Sequence, residues 1–282
     1  DFSFLDENIE YFDQGNDTIY FHLKKSITFT LSNLGENGFP LMLRSDWNDA
    51  LFRVCRKGKG ESIWTAMQLG VCLKHMIELS RIYKMSDDYE NYKSLYDKFK
   101  NLNNSKAWDG QWYARAITDE GVYLGTKKEK QAQIWLNSQS WATMSGFADK
   151  EKAIQSMDCV KQRLDTELGL KLLDPSMKDY PSREDPLTNY NKGTSENGGI
   201  FCHANAWVVI AECMIGRPDN AWKYYSQLIP FNASKKAGLE KYKAEPYVYS
   251  SNIFGPESGE FGYANVSWLT GTAAWMYIAV TQ

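Results

Sequence analysis

Apolar residues recur at helical spacing over residues 18–34, where Ile19, Leu23, Ile27, Leu31 and Leu34 share one face. Asp17 or Thr18 supplies an N-cap there, and Gly35 a stop. A longer pattern covers 61–84, with Trp64, Met67, Val71, Leu73, Met76 and Ile77 on a broad apolar side. Another helix is expected over 88–102, entered through Asp87 and Asp88. Residues 138–147 and 151–164 read as a helix pair, closed by Gly146 and reopened with Asp149 as cap. A further pair follows at 203–215 and 218–228, with Gly216 as C-cap and Pro218 in the first turn. Residues 268–280 close the helical pattern.

Long segments separate these helices at 106–130, 167–199 and 230–264, all rich in Gly, Pro, Tyr, Ser and Asn. Loops longer than about 12–15 residues in a compact domain are usually functional or disordered. Their Trp and Tyr content argues for order. Short strands can occur inside them, as at 111–116, where residues alternate. Neither a βαβ pattern nor a GxGxxG motif is present, which argues against a doubly wound nucleotide-binding domain. Helix hairpins repeating at roughly 50–70 residues, with elaborate loops at one end, favour a helical toroid.

Composition narrows the function. A net charge of −3 and a pI near 5.8 leave no basic stripe for nucleic acid. No apolar run reaches about 18 residues, so no membrane span is expected. The chain opens on acidic and polar residues, so no secretory signal is expected. Cys55, Cys72, Cys159, Cys202 and Cys213 are odd in number and lack CxxC spacing, reading as reduced thiols of a cytoplasmic protein. His22, His75 and His203 are far apart and form no HxxxH or HExxH, so no metal site is expected. Aromatic residues make up 14%, with 10 Trp and 17 Tyr; a large core and an aromatic sugar cleft both account for such a content.

The segment LRSDWND at 43–49 carries the candidate chemistry. An indole face packs on the C–H face of a pyranose, and a carboxylic acid can protonate a glycosidic oxygen. The same residues also suit an Asx turn capped onto a helix, with Trp47 buried.

Further segments combine with it: GKGESIW (58–64), AWDGQWYAR (107–115), LNSQSW (136–141), ENGGIFCHAN (196–205), AEPYVY (244–249) and SWLTGTAAW (267–275). In this order and spacing they resemble the catalytic domain of glycoside hydrolase family 94, the cellobiose, cellodextrin, chitobiose and laminaribiose phosphorylases. The resemblance runs nearly end to end. It implies an all-α (α/α)6 barrel, of which residues 1–282 would be the later part. About eight candidate helices stand where twelve are needed. The family's N-terminal β-sandwich, its C-terminal β domain and its earlier Arg- and Asp-bearing loop have no counterpart here. A fragment, or one piece of a larger protein, is therefore expected.

The resemblance implies reversible, inverting phosphorolysis of a β-linked disaccharide or oligosaccharide. No cofactor is implied; inorganic phosphate is a co-substrate, and a homodimer or the rest of a larger chain is the expected protein partner. Phosphate is already an anionic nucleophile, so one general acid suffices. By resemblance that acid is Asp49, with a pKa expected to be raised by burial or by neighbouring negative charge. Asp46 is then a turn or cap residue. Trp47 would contact the donor sugar, unless it is a simple core Trp. Arg44 would orient the acid, touch a sugar hydroxyl or form a structural ion pair. His203, Thr270 and Gly271 match the family's phosphate contacts, the last two at a probable helix start. Glu196 would bind sugar hydroxyls near the cleavage point and Tyr190 would stack on the acceptor, whereas Glu61 and Gln139 read as scaffold. Ser195 departs from the family, since cellobiose-acting relatives commonly place Lys there, which puts the acceptor's identity in doubt. Two rivals stay open: a hydrolase on the same toroid, needing a second carboxylate, and a non-catalytic sugar-binding or assembly module.

Overall fold

The computed structural model describes residues 2–178 and 189–282; positions 179–188 of the long segment expected at 167–199 lie outside the described residues. Helix α1 (Ile19–Ser32) starts where the Thr18 hydroxyl accepts the Phe21 N–H at 3.3 Å. Helix α2 (Ile63–Ile82) starts where the Ser62 hydroxyl accepts the Thr65 N–H at 3.0 Å. Then come α3 (Ser86–Leu102), α4 (Leu136–Met144) and α5 (Lys150–Arg163), the last capped by Asp149 on the Lys152 N–H at 2.9 Å. Helix α6 (Cys202–Met214) turns at Gly216 into α7 (Pro218–Leu228), whose first residue needs no N–H donor.

The expected loop at 230–264 differs: it folds as α8 (Pro230–Ala237), α9 (Leu239–Tyr242) and a strand at Ser250–Ile253. Pro230 suits the first turn of a helix, and Pro230, Ala233 and Ser234 form its buried face. The last helix, α10 (Thr272–Thr281), starts later than the expected 268, because 264–267 pair as a strand and Thr270 caps the turn. The alternating run at 111–116 contributes only a bridge at Tyr113 and the strand Ala116–Ile117.

Helices α2, α4, α6 and α10 stand side by side as an inner row, with α3 against α2, α5 against α4 and α7 against α6. Helix α1 joins this layer through Tyr20, whose hydroxyl bonds Ser80 at 3.1 Å and Asp88 at 2.8 Å. Each inner helix gives one tryptophan to a common hub. Trp141 lies 5.5 Å from Trp64, 5.3 Å from Trp207 and 6.0 Å from Trp275, between ring centroids. Such tilted and edge contacts suit the ring quadrupoles and bury large apolar area at the axis of the row. Trp content that sequence alone could not divide between core and cleft is therefore largely core at this point.

The fold is not purely helical, which corrects the all-α expectation. Antiparallel pieces of two to four residues form three-stranded sheets from 61–62, 116–117 and 123–124, and from 200–201, 250–253 and 264–267. They have a consistent place: α2, α4 and α6 are each entered directly from a strand, and α10 follows one after four residues. In the second sheet Ser250–Ile253 is central and antiparallel to both Ile200–Phe201 and Ala264–Ser267. The two outer strands thus run the same way, and α6 and α10 leave the sheet from one end. Among the described residues no helix is long and apolar enough to cross a membrane, and all five cysteines are free.

Candidate active site

The strand-entered ends of the inner helices collect most of the sequence-selected residues. The LRSDWND loop lies over them and lines two open depressions, of about 360 Å³ with Asp46, Trp47, Trp64 and Gln68, and of about 460 Å³ with Arg44, Asp49 and Arg56. Trp47 is half-buried, and its ring lies 4.8 Å from Trp207, 5.2 Å from Phe201 and 5.3 Å from His203. It roofs the tryptophan hub and still reaches a depression, so the core and contact readings of this residue are compatible.

His203 sits in the first turn of α6, and Gly271 immediately precedes α10. Their approach is so close that any Cβ at 271 would stand 2.7 Å from the imidazole Cε1. Two helix N-termini therefore meet at one point, both offering backbone N–H groups and the positive dipole end to an anion. The Thr270 hydroxyl bonds that of Thr272 at 2.6 Å and accepts the Thr272 N–H at 3.2 Å. Nε2 of His203 is buried without a hydrogen-bond partner among the described residues, and burial pushes the imidazole pKa down to about 4. At neutral pH the ring is uncharged, able to donate one N–H, and an arriving dianion would favour its protonation.

On the acid loop the structure is more specific than the sequence. Asp49 opens a short 3-10 helix, Asp49–Cys55, and is exposed, with the Ser45 hydroxyl 3.5 Å from Oδ1. The burial expected for this acid is absent in the described residues. Asp46, expected to be a mere turn residue, is a buried anchor. It accepts Nη2 of Arg115 at 2.6 Å, the Ser62 hydroxyl at 2.6 Å and the Asn48 N–H at 2.9 Å. Arg115 is fully buried, between Trp64 and Trp135, whose centroids lie 5.8 and 5.6 Å from the guanidinium carbon. Arg115 also donates to Oδ1 of buried Asn48, through Nη2 at 2.7 Å and Nε at 3.2 Å, where Asn137 donates as well at 3.0 Å.

Glu196 meets this network from a distant loop. Its Oε2 accepts the Asn48 side-chain amide at 3.2 Å and the Ala50 N–H at 3.2 Å. Desolvation, aided by the charge of Asp49, raises its pKa to about 7 against the pull of those two donors. Tyr190 is exposed on a segment tied to the same 3-10 helix, since Nη2 of Arg53 bonds Asn189 at 3.0 Å. Ser195 stands at φ 46°, with its N–H on Asn252 at 3.3 Å. Arg44 is exposed on the rim beside Asp49, and the ion pair considered for it is not among the contacts of the described residues.

Glu61 and Gln139 hold backbone. Glu61 accepts the N–H groups of Asn37 and Phe39 at 3.0 and 2.9 Å. Gln139 accepts the Tyr113 N–H at 2.8 Å and donates to the Tyr113 carbonyl at 2.9 Å. Sequence reasoning passed over Arg115, Asn48 and Asn137. One signal was available for Arg115: an arginine in an alternating aromatic run calls for a buried acid, though the sequence does not say which.

The sequence profile of the glycosyl hydrolase 94 superfamily catalytic domain matches residues 1–282. The chain belongs to this family. The glycosyl hydrolase 94 chain is 35% identical over 283 residues to a solabiose phosphorylase of Paenibacillus borealis, matching all of this chain and 37% of that protein. It is also 35% identical to an N,N'-diacetylchitobiose phosphorylase of Vibrio proteolyticus, over 99% of this chain and 34% of that protein. A cyclic beta-(1,2)-glucan synthase of Rhizobium meliloti is 32% identical over 93% of this chain and 9% of its own length. The chain thus spans about a third of the length of the first two relatives, at 37% and 34%. Among solved structures, a sialidase superposes with a TM-score of 0.61 at 11% identity, covering 88% of this chain and 22% of that one, a likeness of fold alone.

Proposed function

We propose that this glycosyl hydrolase 94 chain carries the acid and phosphate residues of an inverting phosphorylase for β-linked disaccharides or oligosaccharides. The observation that carries the reading is the meeting of His203 and Gly271 at two adjoining helix N-termini, beside Trp47, which stands two residues before Asp49. An anion held there would lie beside the indole of Trp47, itself part of the acid loop. In that arrangement Asp49 gives its proton to the glycosidic oxygen while phosphate oxygen attacks the anomeric carbon from the opposite face. One C–O bond forms as the other breaks, and a sugar 1-phosphate and a shortened acceptor leave. Glu196 and Tyr190 bind the acceptor, Trp47 the donor, and Arg44 a hydroxyl near the acid. The relatives named as phosphorylases of solabiose and diacetylchitobiose support this substrate class.

The inner row α2, α4, α6, α10 supplies four inner helices of an (α/α)6 barrel, three of them with an outer partner, and the remaining helices, with any β domains, belong to the rest of a longer protein or to a second copy. Five free thiols suit a cytoplasmic setting.

One observation favours a second reading. Glu196 places a second carboxylate on the acid loop, bonded to the Ala50 N–H next to Asp49, and a hydrolase needs such a second carboxylate. Both of its hydrogen bonds are accepted on Oε2 from the acid loop, which suits anchoring better than activation of water. Incubation of the full-length protein with β-linked disaccharides, with and without phosphate, separates the readings. Phosphorolysis releases sugar 1-phosphate only when phosphate is present; equal cleavage without phosphate ends the proposal, and no cleavage at all leaves a sugar-binding module.

A further inference from the structure

The two hydrogen bonds accepted by Glu196 come from the residues on either side of Asp49. Both end on the same oxygen, Oε2, one from the Asn48 side chain and one from the Ala50 backbone. The orientation of the Asn48 amide is fixed by its surroundings. Its Oδ1 faces three donors, Nε and Nη2 of Arg115 and Nδ2 of Asn137, which leaves Nδ2 for Glu196. A flipped amide would set Nδ2 against three N–H groups and its oxygen against a carboxylate, so only one orientation satisfies every partner. Arg115 is itself fully buried between two indoles and paired with Asp46. The chain of contacts is therefore buried at one end and grips the acid at the other.

We infer that Asn48 is a positioning residue for the general acid, linking the fixed Arg115–Asp46 pair to Glu196 so that the peptide bearing Asp49 is held where its carboxyl meets the glycosidic oxygen. This rests on the assignment of Asp49 as that acid. Asp49 itself is exposed and has only a 3.5 Å contact to Ser45, so its own side chain does not fix its place. The fixing comes from its neighbours: Asn48 is wholly buried, and the Ala50 N–H is bonded. An error of about 1 Å in such a group can cost about 10²-fold in turnover. Because proton donation matters only when the leaving group is basic, that cost should depend on the leaving group.

The test compares phosphorolysis of a disaccharide with that of a 2,4-dinitrophenyl β-glycoside, whose phenolate leaves without a proton, in the full-length protein. Asn48→Asp keeps the shape and the acceptor for Arg115 but removes the donor to Glu196. The expected result is a loss of about 10²-fold in kcat on the disaccharide and less than about 3-fold on the dinitrophenyl substrate. Equal losses on both substrates, none on either, or a loss on the disaccharide confined to KM, which would report acceptor binding by Glu196 instead of proton donation, would overturn the inference. If Asn48→Asp fails to fold, Asn48→Ser, which still offers Arg115 an acceptor, takes its place under the same criterion. If the protein does not turn over the aryl glycoside, the disaccharide is assayed for Asn48→Asp, Asp49→Asn and the double variant. There the double variant should be no slower than Asp49→Asn alone, and additive losses would overturn the inference. Asp49→Asn run in parallel keeps the two assignments apart: if it loses no activity on the disaccharide, the acid assignment fails whatever Asn48 does.

Discussion

Gly271 packs directly on the imidazole of His203, leaving no room for a Cβ between α10 and α6. Its φ of −75° is one that alanine adopts readily, so Gly271→Ala perturbs the neighbour and not its own backbone. The added methyl must push the ring aside. We expect KM for phosphate to rise about 10-fold or more, the scale of one lost charge-assisted hydrogen bond, with sugar affinity little changed. Initial rates against phosphate concentration decide it; an unchanged KM would remove this pair from the phosphate site.

Asp49→Asn retains the shape of the acid loop and removes the proton to be donated. Turnover of a β-linked disaccharide should fall by about 10²–10⁴-fold, the usual contribution of a general acid. Binding of the sugar, followed by calorimetry, should persist, because Trp47 keeps its packing and Glu196 its hydrogen bonds to Asn48 and Ala50. Retained turnover would move the acid role elsewhere.

Arg115→Met replaces a buried cation with an apolar chain of similar length and strands Asp46, whose side chain is only 4% exposed. Breaking one partner of a buried pair costs roughly 3–5 kcal/mol. Urea unfolding should record a loss of that order, and a change below about 1 kcal/mol would mean that the loop is anchored by other contacts.

The pH dependence of stability holds two opposing contributions. Glu196 keeps its proton to about pH 7 when folded and releases it near 4.5 when unfolded, so the folded state binds more protons and this contribution declines as pH rises through that window. His203 takes up a proton near 6.5 unfolded but only near 4 folded, so its contribution grows as pH rises from 4 to 6.5. Each amounts to at most about 3 kcal/mol, and over the shared range they offset one another. Glu196→Gln should therefore make stability climb more steeply between about pH 4.5 and 6.5 than in the parent, and His203→Gln should make it fall. Denaturant midpoints at three pH values check both slopes; parallel curves for all three proteins would contradict the assignment.

The helices were legible because their signals are local. Thr18, Asp149 and Pro218 act within one turn of themselves, and in α7 the apolar spacing follows the buried residues Ala221, Tyr224 and Leu228. The helices at 230–242 were not legible, since α8 and α9 are short and draw their stability from packing rather than from a repeating pattern. The motifs also nominated residues for the proposed chemistry, Asp49, His203 and Gly271 among them.

Tertiary structure alone decided how those residues stand to one another. Asp46 and Arg115 lie 69 positions apart and Asn48 and Glu196 148 apart, separations at which no local pattern carries information. A buried arginine must find a carboxylate, and a buried carboxylate must find donors, but several candidates satisfy each demand in the sequence. Only the packing of four short strands at the heads of four helices selects one. That selection made Asp46 an anchor, left Asp49 exposed on a gripped loop, and brought Gly271 against His203.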